Sequence, residues 1–335
     1  MAHDSNALQW NGGPGHYEVY YLSMTDRASG IGAWIRYTMV APLPDTGEDA
    51  TCSLWFMAMD PERPGEGIGR KTSFPIADLV AEEAPFRLRI GDSQLNDEGM
   101  TGGFEDVAWD VHWPATPGAE HVHPLLRRAR IAKTVLTLPH ANFAIAGTLT
   151  LPGGRTLELD GARGGQAHLW GSKHAARWAW VHCNDFETDE GEPRPDVWVD
   201  GVSVFVPRFG REVGPSTPVV GRFGGEDFVS TRPLAVMRND STFSLTSWRF
   251  EARDGDRKIV GDVDAGRDSL VGVTYHDPDG DLAYCYNSEI ATMRVQVLER
   301  DGGQWKPVER LVAPGRAHFE YAQREPLPDM TLHVR

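Results

Sequence analysis

The stretch from Gly164 to Phe186, GGQAHLWGSKHAARWAWVHCNDF, carries three Trp, three His, one Cys and one Asn in 23 residues. Read as a strand, Ala176–Asn184 sends Trp178, Trp180, His182 and Asn184 to one face. Arg177, Ala179, Val181 and Cys183 go to the other. A core face would use Val, Ile or Leu, and a solvent face would not carry two Trp. Aromatic walls with a few placed polar groups have the composition of a ligand cavity. His168 and Trp170 extend that wall on an adjoining strand, with Gly171–His174 as the turn.

The same period-2 pattern recurs outward from this stretch in both directions. Runs at 16–24, 32–42, 52–59, 86–91, 104–113, 134–139 and 143–152 precede it. Runs at 197–207, 241–252, 257–265, 269–277, 282–288 and 293–300 follow it. Many alternate apolar with polar, as half-buried antiparallel strands do. The 36 Gly and 23 Pro punctuate these runs, a spacing typical of sandwiches and barrels. Asp254-Gly255 between two such runs is a hairpin signal. Val122–Lys133 and Gly171–Ala176 are the places for a turn or a short helix. Asp185–Pro195, acidic and Pro-containing, reads as a linker. The expectation is an all-β chain of two domains, 1–190 and 191–335, with most of the pocket in the first.

Composition narrows the partners. The chain has 335 residues and a formal net charge of -15, which disfavours phosphate backbones and anionic membranes. No nucleic-acid partner and no stable membrane insertion are expected. The N-terminal residues lack the basic start and apolar run of a signal peptide. Three Cys, namely Cys52, Cys183 and Cys285, make no disulfide framework. The chain therefore reads as a cytoplasmic protein with reduced thiols.

Familiar motifs fail on inspection. Gly65, Gly67 and Gly69 have no strand before them and no helix after, so they form no dinucleotide site. Asp277-Pro278-Asp279-Gly280-Asp281 begins like a calcium loop, but Leu282 stands where such a loop needs Gly. A hairpin turn is the better reading. His168, His174, His182 and Cys183 supply zinc-ligand types without zinc spacing, and the adjacent His182 and Cys183 face opposite ways. No metal and no cofactor are expected. Cys183 reads as an inert buried thiol.

Three further groups carry possible chemistry. Glu18 lies among tyrosines on one strand, and Trp34 and Arg36 on the next. Glu18 and Arg36 can form an interior ion pair. Alternatively, Glu18 is a proton donor in an aromatic pocket. Asp110 and His112 share a face opposite Trp109, Val111 and Trp113, as on a polar outer surface. Tyr284 and Tyr286 share a face that lines a pocket mouth or only favours a strand.

Residues 17–42, 103–113 and His168–Phe186 together resemble the carotenoid 1,2-hydratase (hydroxyneurosporene synthase) and tocopherol cyclase-like superfamily, which includes lipocalin-like Diels–Alderases. The resemblance implies two consecutive lipocalin-like (calycin) antiparallel β-barrels, with a ligand pocket in or near the first barrel and at the interface. It implies a cofactor-independent hydratase or cyclase acting on a hydrophobic isoprenoid- or polyketide-like substrate. On that footing Glu18 and His182 are the candidate acids. Trp34, Arg36, His168, Trp170, Trp178, Trp180, Asn184, Tyr284 and Tyr286 are the candidate substrate contacts. A non-catalytic carrier of a hydrophobic ligand would use the same pocket.

Overall fold

The structure, a computed structural model, describes residues 6–122, 127, 133–208 and 210–334. The turn or short helix expected within Val122–Lys133 falls almost wholly outside them. Gly171–Ala176 is an irregular crossover without a helix.

Two large sheets account for the fold. The first is nearly closed into a barrel. Its central strands are His16–Thr25, paired on one side with Gly32–Ala41 and on the other with Thr156–Gly171. Its two edge strands, Ile68–Pro75 and Leu79–Glu83, are joined directly by the 3-10 turn Ile76–Asp78. Connection by so short a turn forces the edges together. The second sheet is centred on Arg177–Cys183, between Trp198–Arg208 and Gln304–Gln323. Its edges, Glu226–Ser230 and Asp240–Phe243, are linked through the short helix Pro233–Val236. Asn239 Nδ2 donates to Thr217 O at 2.7 Å and to Ser230 Oγ at 2.9 Å, pinning that closure. The pairing of Leu332–Val334 with Val271–His276 is parallel; the other pairings among the described residues are antiparallel.

Each barrel fills its own interior with the inward half of alternating strands. Tyr20, Leu22, Tyr37, Phe56 and Trp109 pack in the first. Val181, Cys183, Phe223, Trp248 and Phe250 pack in the second. The outward half of several strands is also buried, because the barrels pack on each other. Tyr21, Trp34, Trp55, Trp178, Trp180 and Trp198 form that third cluster. Strands such as His16–Thr25 are thus covered on both faces, which explains aromatic residues at odd and even positions alike. Gly32 sits where the sheets come closest. A Cβ there would lie 1.9 Å from the backbone oxygen of Glu289.

The chain passes from the first sheet to the second between Gly171 and Arg177, upstream of the expected boundary near residue 190. Asp185–Pro195 is not a free linker. Phe186–Thr188 and Pro193–Arg194 form a small hairpin beside the second sheet. Two of its acids have partners: Arg27 Nη1 and Arg316 Nη2 bind Glu187 at 3.2 and 2.6 Å, and Arg27 Nε binds Asp185 Oδ1 at 3.0 Å.

Candidate active site

Strand alternation divides the sequence candidates into two separate groups. Glu18, Tyr20, His168 and Trp170 lie on the face that looks into the first barrel, since Glu18 is opposite Trp170 and Tyr20 opposite His168. Tyr21, Trp34 and Arg36 lie on the other face, toward the second barrel. The expected Glu18–Arg36 pair therefore does not form. The sheet itself stands between them.

Glu18 is fully buried and saturated. Its carboxylate accepts from Tyr20 OH at 2.8 Å, His16 Nε2 at 2.8 Å and His168 Nε2 at 2.8 Å. The backbone N–H groups of Gln9 and Trp10 add bonds of 2.8 and 3.0 Å. Burial pushes the carboxyl pKa up, but the hydrogen bonds from His16 and His168 outweigh it and hold it at about 2. A group held ionised in this way has no proton to deliver at neutral pH. Its geometry is that of a clamp on the N-terminal segment, whose Leu8 and Trp10 pack against the barrel core. His168 stacks on Tyr20 at 4.1 Å and serves the same clamp. His168 and Trp170 thus stand apart from the Trp178 wall that they were expected to extend.

Between the barrels the polar groups are arranged differently. The Arg36 guanidinium lies 4.1 Å above the Trp34 ring and 5.2 Å from that of Tyr21. It donates to the Tyr275 hydroxyl and, at 3.1 Å, to Glu320 Oε2. Trp178 Nε1 donates to Glu320 Oε1 at 2.6 Å, and Tyr275 OH reaches Glu320 Oε2 at 3.3 Å. Burial raises the Tyr275 phenol well above its ordinary range although Arg36 opposes it, so the hydroxyl keeps its proton. Burial also works against the Arg36 charge, and Tyr275 and Glu320 more than restore it.

Deeper in the same layer, Asp200 accepts from Trp180 Nε1 and from His182 Nδ1, both at 3.1 Å, and lies 2.9 Å from His121 Nε2. Burial lowers the His182 pKa, and the neighbouring His318 and His121 add to this against the pull of Asp200. The neutral ring with Nδ1–H on Asp200 leaves the Nε2 lone pair available. Among the described residues that atom has no hydrogen-bond partner. It points at Gly165, where a Cβ would lie 2.4 Å away; only glycine leaves the imidazole its place. His318, 6.2 Å from His182 between ring centres, donates to Glu289 at 2.6 Å. Asn184 donates to Gly164 O at 2.7 Å and ties the two sheets together.

Among the described residues, several buried polar atoms without partners gather in this layer: Ser23 Oγ, Trp34 Nε1, Arg36 Nε and His182 Nε2. Tyr21, Trp55, Trp178, Trp180, Trp198, Arg36 and Glu320 in this layer keep 5–7% of their surface.

Other candidates lie elsewhere. Tyr286 points into the second barrel, where its hydroxyl accepts from Leu327 N at 2.7 Å, and Tyr284 packs against the same core. Tyr275, one strand away, faces the layer instead. Cys183 is buried in the second core, and burial pushes its thiol up. Asp110 and His112 are exposed and 2.8 Å apart, as a polar outer face requires. The Asp277 turn anchors the crossover. Asp277 binds His174 Nδ1 and Arg324 Nη1, both at 2.6 Å, and Asp281 binds Lys173 at 2.6 Å. These acids are spent on cations of the chain itself. No group of metal-ligating side chains occurs among the described residues.

The chain is 29% identical over 322 residues to the uncharacterized protein Rv0493c of Mycobacterium tuberculosis (strain ATCC 25618 / H37Rv), covering 94% of this chain and 89% of that one. No family model matches. Among solved structures, CghA bound to Sch210972 has a TM-score of 0.57 at 9% identity, covering 92% of this chain and 88% of that one. Kievitone hydratase from Nectria haematococca has a TM-score of 0.54 at 11% identity, with coverages of 92% and 89%. An AttH-like protein from Nitrosomonas europaea has 0.52 at 12% identity, with coverages of 92% and 93%. The fold is the lipocalin-like double barrel. These likenesses extend over both barrels. No helix among the described residues is long and apolar enough to cross a membrane.

Proposed function

We propose that the chain is a cofactor-independent enzyme of the hydratase or cyclase type, acting on a hydrophobic isoprenoid- or polyketide-like molecule held between the two barrels. The observation that carries this reading is that, among the described residues, Ser23 Oγ, Trp34 Nε1, Arg36 Nε and His182 Nε2 are buried without partners in one aromatic layer. Unpaired buried polar groups are costly, and a ligand that pairs with them recovers that cost. A fold shared with a protein named as a hydratase and with one that binds a small molecule supports the reading.

The geometry supports the following roles. In this reading Arg36 and the protonated Tyr275 hold an oxygen of the substrate and stabilise charge that develops on it. His182, oriented by Asp200, accepts a proton at Nε2 from attacking water or from an acidic C–H and returns it. The faces of Trp34, Trp178 and Trp180 suit an apolar or transiently cationic skeleton.

The test is conversion of a panel of polyenes, prenylated phenols and conjugated enones, followed by mass spectrometry. Tyr275→Phe and His182→Ala should each lose most of the turnover. Wild-type rates in both variants would remove the assigned roles. A molecule that co-purifies and is never converted would make the protein a carrier.

A further inference from the structure

Two histidines of the second sheet stand side by side in the layer between the barrels. His182 and His318 are directly opposite on neighbouring strands, with ring centres 6.2 Å apart. Each binds a buried carboxylate through Nδ1, His182 that of Asp200 at 3.1 Å and His318 that of Glu289 at 2.6 Å. Each turns Nε2 toward the first sheet. His318 Nε2 meets the Thr25 hydroxyl at 3.3 Å, so hydroxyl, imidazole and carboxylate form a closed series. His182 Nε2 has no such partner among the described residues.

A second hydroxyl lies beside it. Ser23 is two residues before Thr25 on the same strand, so both side chains take the same face. Ser23 is directly opposite Gly165, and opposed side-chain positions are about 5 Å apart. The Gly165 position is the one that His182 Nε2 fills, 2.4 Å from where a Cβ would be. Ser23 Oγ is itself buried without a partner among the described residues. Two series therefore run in parallel across the layer, one closed at Thr25 and one left open at Ser23.

Donors flank the open end. Trp34 is directly opposite Ser23 on the neighbouring strand, and Arg36 follows it on the same face. Trp34 Nε1 and Arg36 Nε are buried N–H groups without acceptors among the described residues. Burial pushes the Asp200 carboxyl up, but His121 and His182 outweigh this and hold it ionised, below its ordinary range. A hydroxyl beside a base, a base oriented by a carboxylate and unpaired N–H donors are the parts of an acyl-transfer site.

We infer that Ser23, His182 and Asp200 form a relay that cleaves esters of apolar acids or alcohols, with Trp34 and Arg36 donating to the carbonyl oxygen. This activity goes beyond the hydratase or cyclase reading but rests on its intersheet substrate site. Ser23 Oγ attacks the ester carbon while His182 Nε2 takes the hydroxyl proton. The bond from that carbon to the alcohol oxygen then breaks, and His182 gives the proton to the departing alcohol. Water attacks the acyl carbon in turn. Its proton passes through His182 to Ser23 Oγ as the serine leaves.

The experiment is labelling of the full chain with dodecyl fluorophosphonate, read by intact and peptide mass spectrometry. The probe should form a single adduct, on Ser23. His182→Ala and Asp200→Asn should each slow it by at least about 10²-fold. Ser23→Ala should remove the adduct, and with it the burst of nitrophenol from p-nitrophenyl decanoate. An unlabelled Ser23 in the wild-type chain, or labelling indifferent to His182→Ala, overturns the relay. If that chain still converts a member of the polyene, phenol and enone panel, the hydratase or cyclase reading stands without it. If it neither takes the label nor converts any member, the intersheet reading falls with the inference.

Discussion

Two buried carboxylates separated by one sheet show opposite designs. Glu18, inside the first barrel, takes five hydrogen bonds from two histidines, a tyrosine and two backbone N–H groups. Its surroundings in the barrel core are filled. Glu320, between the barrels, also accepts several bonds, but its neighbours carry polar atoms that nothing among the described residues satisfies. Saturation in a dry core stabilises one structure. Incomplete pairing costs stability and leaves something for a ligand to complete. The contrast separates a structural acid from a candidate site where residue type alone could not.

The largest expected effect breaks the structural side of this contrast. Glu18→Ala leaves two histidines, a tyrosine and two backbone donors without an acceptor, and should cost about 3–5 kcal/mol in denaturant unfolding. The pH dependence has the same origin. Glu18 titrates at about 2 in the folded chain against 4.5 as its ordinary value. Its contribution of roughly 3 kcal/mol is complete above pH 4.5 and vanishes as the pH falls toward 2. An acid-unfolding midpoint unmoved in Glu18→Gln would contradict this.

Tyr275→Phe probes the other side. It should lower turnover by about 10²-fold, while unfolding free energy changes by about 1 kcal/mol. The reverse pattern, stability lost and rate kept, would make the layer structural as well. Gly165→Ala should cost about 1–3 kcal/mol, because the added methyl drives into His182. The His182 imidazole resonances, followed by NMR, should shift with it. The smallest effect belongs to the solvent face. Asp110→Asn should change stability by less than about 0.5 kcal/mol, and turnover not at all.

Much of this was legible in residue order. Period-2 alternation identified an all-β chain and sorted Trp178, Trp180 and His182 from Ala179, Val181 and Cys183, as the two cores confirm. It also separated Asp110 and His112 from Trp109. The long strand Gln304–Gln323 was missed because Pro307, Pro314 and Gly315 interrupt its pattern. Bulges absorb those interruptions in the structure. With that strand went Glu320 and His318. Asp200 was hidden among strand-forming neighbours, with no spacing to mark it.

The division of labour has a physical cause. Alternation is local, so the order of residues determines which side chains share a face of a strand. Which face meets which partner depends on barrel closure and on how the barrels dock, and both join residues far apart in the chain. Glu18 and Arg36 looked like a pair by proximity in sequence, yet they ended on opposite sides of one sheet. The Arg36–Glu320 contact joins positions 284 residues apart. Only the tertiary structure could make the Trp178–His182 face a wall of an intersheet layer and leave His168 and Trp170 in the barrel behind it.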